Sequence, residues 1–337
     1  MADKRIPVTI LTGFLGSGKT TLLNQLLSHP QMKNSAVIIN EIGSTGLDHI
    51  LAMHVDSQHI ADNTVLLSNG CVCCTLKNEL ADTMRDLFFK RALQAIPQFD
   101  RLIIETTGLA DPGLILGNLM FEPVIESVFR LDAVVVTVDA LYGADQLKLQ
   151  LEAKSQVAVA DVLLITKTDL ATHTQISLLQ ETLQAINAGA NQHIVINGQI
   201  EPEFLIDVGL FGPTGKHAEP ERWLRTPVNR KPKGMLSQPA HDGITSFTVT
   251  LPMPINWRDL KPIILKLCQT HGQNLLRLKG IIHAADCDHP IAIHAVHFTP
   301  YPPTLLEGWT EVEPTNRLVI IGKNLDDTAV IKLLTQF

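Results

Sequence analysis

The octapeptide at residues 13–20, GFLGSGKT, constrains this chain more than any other feature of its sequence. It matches the phosphate-binding pattern G-x-x-x-x-G-K-[ST] at every fixed position, between a strand predicted at residues 8–11 and a helix predicted at residues 19–27. In that setting glycines let the backbone close around phosphate oxygens, on which amide hydrogens and the helix N-terminus converge. A chance glycine-rich turn is the alternative, and its surroundings disfavour it. The motif therefore predicts a nucleotide-binding α/β domain.

The loop also predicts individual roles. Lys19 is expected to reach the β- and γ-phosphates and to act in catalysis, and the Thr20 hydroxyl is expected to bind Mg²⁺. The other nucleotide-binding residues predicted here are Gly13, Gly16, Ser17, Gly18 and Thr21.

A second carboxylate of such a site usually follows another strand. The segment at residues 101–108, RLIIETTG, places Glu105 at the end of an apolar run and Gly108 shortly after it. We expect Glu105 to hold the hydration shell of Mg²⁺ or to orient the attacking water, and Gly108 to move toward the γ-phosphate. The alternative is a strand-terminal glutamate that is merely solvated.

The segment at residues 162–169, VLLITKTD, indicates which base is bound. A carboxylate at Asp169 can accept hydrogen bonds from two ring-edge donors of guanine, and adenine has no matching pair. The usual tetrapeptide of GTP-binding proteins begins with Asn; here Thr166 takes that place and is expected to hold the loop through its hydroxyl. Lys167 belongs to the same turn, and Asn197 is a weaker candidate for the base pocket. A plain surface turn is the alternative.

Three thiols lie within the segment at residues 69–75, NGCVCCT. Cys71, Cys73 and Cys74 are too close to bridge one another, but thiolates at this spacing can share one tetrahedral ion, by default zinc. The fourth ligand is predicted to be Glu41, which follows the strand predicted at residues 36–40. Buried apolar cysteines are the alternative.

Strand-like and helix-like segments alternate as far as residue 207, a pattern typical of a mostly parallel sheet with helices on both faces. We divide the chain into a nucleotide domain at 1–207, a linker rich in Pro and Gly at 208–243, and a small α+β domain at 244–337. Further strands are expected at 64–67, 102–105, 133–139, 162–166, 194–196, 246–251, 275–283, 291–298 and 317–322. Further helices are expected at 78–95, 142–157, 175–188, 256–271 and from 325 onward.

Composition narrows the classes of partner. A net charge of -7 gives no basic field for nucleic acid, and no apolar run approaches the roughly 20 residues of a membrane span. Five cysteines, two of them isolated at Cys268 and Cys287, fit a reducing compartment, so we expect a cytoplasmic protein. Monomer and homo-oligomer both stay open.

In their order, the segments GFLGSGKTT, INEIG, GCVCC, ETTGLADP and TKTD resemble those of the CobW-like family of metal-chaperone GTPases. The resemblance covers nearly the whole chain and includes RLVIIG at residues 317–322 of the C-terminal domain. It implies GTP and Mg²⁺ as ligands, zinc or cobalt at the cysteine cluster, and a client metalloenzyme that receives the metal. Two features depart from the family. Ser44 stands where many members have a further glutamate, and the histidine-rich tail is absent as a contiguous run.

Histidines are instead scattered through the last domain, among them the four at positions 283, 289, 294 and 297. His294 and His297 would face opposite sides of a predicted strand, so we treat the four as ordinary polar residues. A storage or sensor protein with GTP as a regulatory ligand is the main rival function. An ATP-dependent kinase is another rival, and Asp169 argues against it.

Overall fold

The structure is a computed structural model that describes residues 4–40, 65–69, 79–113, 115, 122–205, 208, 243–306 and 314–336. The chain forms two compact units. The first contains Met1–Gln156, Ala160–Gln180 and Asn191–Lys216, and the second contains Val157–Val159, Glu181–Ala190 and His217–Phe337. The linker boundaries at 207 and 243 stay predictions.

The N-terminal sheet has seven strands among the described residues, in the order β3-β2-β4-β1-β5-β6-β7. Every adjacent pair is parallel, which confirms the predicted α/β class. The strands are β1 (Ile6–Gly13), β2 (Ser35–Asn40), β3 (Val65–Asn69), β4 (Arg101–Glu105), β5 (Phe129–Asp139), β6 (Val162–Thr166) and β7 (Asn191–Ile194). The α-helices among them are α1 (Lys19–Leu27), α2 (Glu79–Ala92), α3 (Pro123–Val128), α4 (Gly143–Leu149), α5 (Leu151–Val159) and α6 (His173–Ile186).

Alternation along β2 shows how the sheet is covered. Val37 and Ile39 pack in one apolar cluster with residues of α1, whereas Ala36 and Ile38 pack in another with residues of α2. Since successive side chains of a strand point to opposite faces, α1 and α2 cover opposite faces of the sheet. The prediction of helices on both faces is confirmed.

The C-terminal elements form the predicted α+β domain around an antiparallel sheet of the order β11-β10-β9-β13-β8, with β12 paired to β10. They are β8 (Ile244–Leu251), α7 (Trp257–His271), β9 (Leu275–Ile282), β10 (Ile291–Val296), β11 (Thr299–Pro300), β12 (Thr304–Leu305), β13 (Asn316–Lys323) and α8 (Asp327–Leu334). Helix α7 buries Leu260, Ile264, Leu267 and Cys268, one face of a helical repeat. Its N-terminus is capped by Asp286, whose carboxylate accepts from the amides of Trp257 (2.6 Å) and Arg258 (3.1 Å).

The structure corrects three predicted elements and adds one helix. The single helix expected at 142–157 is two helices, because Gln150 between them has extended backbone angles. The last parallel strand ends at Ile194, before the chain turns through Asn197 at a positive φ of 51°. Helix α3 was not predicted. Strand β10 ends before His297, which lies in a turn at a φ of 50°.

The helices of the described ranges are all too short or too polar to span a membrane.

Candidate functional site

The loop between β1 and α1 has a backbone that its glycines make accessible. Gly16 and Gly18 adopt positive φ values of 72° and 90°, and Gly18 is the residue that precedes α1. Gly13 lies so close to the adjacent strand that an added Cβ would come within 2.8 Å of the Ser17 hydroxyl and closer still to Thr137. The loop therefore leaves room for no side chain at this position, and its backbone folds tightly at the C-terminal end of β1.

Strand β5 holds the loop in place from the neighbouring position in the sheet. The buried hydroxyl groups of Ser17 and Thr137 are 2.6 Å apart, and the Thr137 hydroxyl also donates to the carbonyl oxygen of Thr12 at 3.3 Å. The Lys19 ammonium donates to the carbonyl oxygens of Gly13 (2.9 Å) and Phe14 (3.3 Å). Its positive charge thus lies over the loop, where the sequence predicts phosphate.

Thr20 and Glu105 are brought together from separate elements. In the sheet, Glu105 of β4 lies beside Leu11 of β1, and the Thr20 hydroxyl donates to Oε1 of Glu105 at 3.0 Å. Glu105 is only 4% exposed, which contradicts the alternative of a merely solvated strand end. One hydroxyl and one carboxylate fit Mg²⁺, because this hard cation prefers oxygen ligands and usually keeps several of its waters.

The segment after Glu105 lies against the phosphate loop. The Thr106 amide donates to the carbonyl oxygen of Leu11 (2.9 Å), and the Thr106 hydroxyl donates to the hydroxyl oxygen of Thr12 (2.7 Å). An added Cβ on Gly108 would come within 2.6 Å of the Leu15 amide nitrogen. Only glycine fits where the segment after Glu105 and the phosphate loop approach so closely. A movement of one of these loops would therefore displace the other.

The predicted base-reading turn begins at the end of β6. The Thr166 hydroxyl donates to the carbonyl oxygens of Ser17 (2.8 Å) and Val138 (3.3 Å), which confirms that this threonine holds the loop through its hydroxyl. The turn passes through Lys167 at a positive φ of 55°, and Asp169 is exposed. The phosphate loop and the turn that follows β6 therefore meet at Ser17.

A buried carboxylate fixes the lysine of this turn. Asp139, at the end of β5, lies 2.7 Å from the Lys167 ammonium and also accepts from the amides of Leu141 (2.8 Å) and Tyr142 (3.1 Å). No role was predicted for Asp139, although its position at the end of an apolar strand is a signal that could have found it.

The loop that follows β7 contacts helix α1, which begins where the phosphate loop ends. Asn197 is exposed, and the added Cβ of its neighbour Gly198 would lie 2.9 Å from the carbonyl oxygen of Thr21. The structure thus places the loop of Asn197 against the first turn of α1, which contains Thr20 and Thr21.

The four predicted transition-metal ligands, Glu41, Cys71, Cys73 and Cys74, lie outside the described residues. The strands that precede them are described: Asn40 ends β2, Asn69 ends β3, and the two residues are partners in the parallel register. Because β2 also pairs with β4, these two strand ends and Glu105 share one edge of the sheet.

The pKa values of the remaining two cysteines are raised, which disfavours their thiolate forms. Burial raises the pKa of Cys268 from 9.0 to about 12, and burial together with the charges of Asp286 and Asp288 raises the pKa of Cys287. Within the described ranges, no three His, Cys, Asp or Glu side chains are grouped so that they could hold a metal ion. His294 stacks on Tyr301, and His297 bonds the carbonyl oxygen of Gly272 at 3.0 Å.

A glycine-lined loop, its lysine and a threonine–carboxylate pair at the carboxyl edge of a parallel sheet define a P-loop nucleotide-binding protein. Two family models match the chain: "CobW/HypB/UreG, nucleotide-binding domain" over residues 7–194 and "Cobalamin synthesis protein cobW C-terminal domain" over residues 244–337. The chain belongs to the CobW/HypB/UreG family of P-loop GTPases.

Relatives cover most of its length. It is 34% identical over 328 residues to the zinc chaperone YjiA of Escherichia coli, with 96% of each chain covered. It is 33% identical over 210 residues to zinc-regulated GTPase metalloprotein activator 1 of Schizosaccharomyces pombe, covering 61% of this chain and 50% of that one. The crystal structure of Zn(II)-bound YjiA GTPase from E. coli superposes with a TM-score of 0.71 at 29% identity, over 98% of each chain.

Proposed function

We propose that this chain is a cytoplasmic GTPase that binds zinc, or cobalt, and passes the metal to a client metalloenzyme. The proposed metal ligands are Glu41, Cys71, Cys73 and Cys74. The observation that carries the proposal is the pairing of Asn40 with Asn69, since it starts both ligand-bearing segments side by side, next to the strand that ends in Glu105. The zinc chaperone and GTPase activator among the relatives support the same conclusion.

The nucleotide half of the proposal assigns one role to each group. Backbone amides of residues 13–18 receive the phosphates, Lys19 neutralises charge on the β- and γ-phosphates, and Asp169 reads guanine. Thr20 and Glu105 would hold Mg²⁺, which supplies positive charge to the phosphates when it is bound there. Glu105 also lies at the correct edge of the sheet to orient a water through that hydration shell.

The two ligands are expected to be coupled. If GTP orders the segments that carry Glu41 and the thiols, GTP binding tightens metal binding, and by linkage the metal tightens GTP binding by the same factor. Hydrolysis then loosens the metal and permits transfer to the client.

Zinc affinity measured by competition with a chromogenic chelator tests this proposal. We expect about one equivalent of zinc per chain, bound more tightly with a non-hydrolysable GTP analogue than with GDP. The double change Cys73→Ser and Cys74→Ser should abolish tight binding and leave the affinity for GTP without metal unchanged. The matched control is Cys287→Ser, which removes a thiol outside the proposed site and should retain the zinc. Stoichiometric tight zinc in the double variant would contradict the assignment.

One observation favours a second function, a metal store or sensor in which GTP only regulates. No arginine lies in residues 13–20 or 105–112, so none of these residues neutralises the charge that develops during hydrolysis as an arginine finger does. GTP hydrolysis measured with and without zinc separates the two functions. A chaperone cycle requires turnover that responds to metal or client, and a store requires none.

A further inference from the structure

Gln156 in helix α5 contacts the segment that follows Glu105. Its side chain is fully buried, at 0% exposure. The carboxamide nitrogen donates to two carbonyl oxygens of that segment, to Gly108 at 3.1 Å and to Ala110 at 3.0 Å. One side chain therefore fixes two backbone groups on a loop that is 48 and 46 residues away in sequence.

Three contacts among the described residues of the first unit hold this loop. Thr106 attaches its beginning to β1 through the amide and the hydroxyl described above. Gly108 meets the phosphate loop at Leu15, and Gln156 binds the same glycine and the residue two positions later. Without the Gln156 bonds, only one of these three contacts would hold the part of the loop that follows Thr106, namely the contact of Gly108 with Leu15.

The acceptor half of the same amide gives a second, independent observation. Among the described residues, the buried Oε1 of Gln156 has no hydrogen-bond partner. A methionine or leucine would fill this volume without the desolvation cost of an unpaired carbonyl oxygen. Packing alone therefore does not account for a glutamine here; its two N–H donors do.

We propose that Gln156 is a positioning residue for GTP hydrolysis, which holds Gly108 against the phosphate loop so that the loop responds to the γ-phosphate. The inference rests on the proposed GTPase function. GDP lacks the γ-phosphate, so Gln156 matters for GTP and not for GDP. A residue needed only for folding would affect both nucleotides alike.

Two substitutions test this role. Gln156→Met removes both donors at similar volume, and Gln156→Glu keeps the shape but turns a carboxylate toward two carbonyl oxygens. Gln150 is exposed and immediately precedes the same helix, so Gln150→Met and Gln150→Glu are matched controls. Affinities for GDP and for a non-hydrolysable GTP analogue are measured for each, together with kcat, KM and the melting temperature.

For Gln156→Met we expect affinity for the analogue to fall about tenfold, as the loss of two neutral hydrogen bonds predicts, with GDP affinity within about twofold of the original. The value of kcat should also fall by at least about tenfold. Gln156→Glu should lower both the affinity for the analogue and kcat by more than Gln156→Met does. The Gln150 variants should match the original protein. Equal losses for GDP and the analogue, or no loss for either, would overturn the assignment.

If the Gln156 variants do not fold, Gly108→Ala perturbs the same loop from the side of Leu15 and should show the same selectivity for the analogue. Loss of GDP and analogue binding in equal measure in that variant would again overturn the role. If the original protein binds GTP but does not hydrolyse it, the proposed GTPase function fails separately. The ratio of analogue to GDP affinity still decides the role of Gln156 in that case.

Discussion

Replacing Thr166 by Val removes the hydroxyl that joins the proposed base-reading turn to the phosphate loop, at nearly constant volume. The side chain is 6% exposed, so water cannot easily replace it at the carbonyl oxygen of Ser17, 2.8 Å away. The second acceptor, Val138, is at 3.3 Å and contributes less. A buried acceptor left without its donor costs about 1–3 kcal/mol, and we expect about 1–2 kcal/mol because one of the two bonds is long.

This free-energy cost should destabilise the conformation that binds nucleotide, because the turn after β6 and the phosphate loop meet at Ser17. A loss of about 1.4 kcal/mol is tenfold in a binding constant, so GTP and GDP affinities should each fall about 5- to 30-fold. The affinities for the two nucleotides should fall equally because Thr166 belongs to the turn that we propose to read the base, whereas changes at Gln156 should discriminate between them. Titration of fluorescent GDP and of a fluorescent GTP analogue measures both losses.

The control for this experiment is Thr166→Ser, which keeps the hydroxyl and loses only a methyl group. It should bind both nucleotides within about twofold of the original protein. The reasoning fails if Thr166→Val binds as tightly as the original, or if Thr166→Ser loses as much as the valine variant.

Four further predictions concern the base, the magnesium pair, the intrinsic rate of hydrolysis and the C-terminal core. Asp169→Asn should lower the affinity for GTP and leave the magnesium–phosphate contacts intact. If ATP competes as well as GTP for the original protein, the base assignment is contradicted. Glu105→Gln should raise the Mg²⁺ concentration needed for turnover, and turnover of the original protein without metal or client should stay below about one per second. The thiol of Cys268 keeps its proton to about pH 12 when folded but loses it above 9.0 when unfolded, so the folded state binds more protons between these values. Stability to urea should therefore fall as the pH rises above 9.0, and Cys268→Ala should reduce that slope.

The sequence predicted well where one local pattern determines one local structure. The phosphate-loop motif fixed the bounds of α1, and the apolar run before Thr166 fixed those of β6. Glu105 was placed at a buried strand end because parallel strands of a covered sheet are apolar until they stop. The nucleotide and metal roles of the predicted residues stay predictions until the variants above are measured.

The sequence predicted poorly where a residue acts on a distant loop. Helix periodicity shows that part of α5 is buried, but it does not show that Gln156 bonds Gly108. Asp139 follows an apolar strand as Glu105 does, yet only the turn at Lys167 shows what its carboxylate holds. The break at Gln150 was missed because both of its flanking segments favour helix, and the backbone of this one residue decides where the first helix ends.

The order of the strands also predicts how metal and nucleotide affect each other. Neighbouring strands lie about 4.8 Å apart, so the ends of β2 and β3 lie within about 10 Å of the end of β4, where Glu105 meets the nucleotide site. The proposed zinc site, with three thiolates and one carboxylate, would have a net charge of about -2, and each pair of unit charges about 10 Å apart in water repels by roughly 0.4 kcal/mol. Direct electrostatics would therefore oppose joint binding, and the proposed ordering of the loops would have to outweigh it. Zinc that binds more tightly with the GTP analogue, at low and high salt alike, would establish the loop mechanism. Zinc that binds more weakly with the analogue, and recovers its affinity as salt screens the charges, would show that repulsion dominates and would refute the coupled switch.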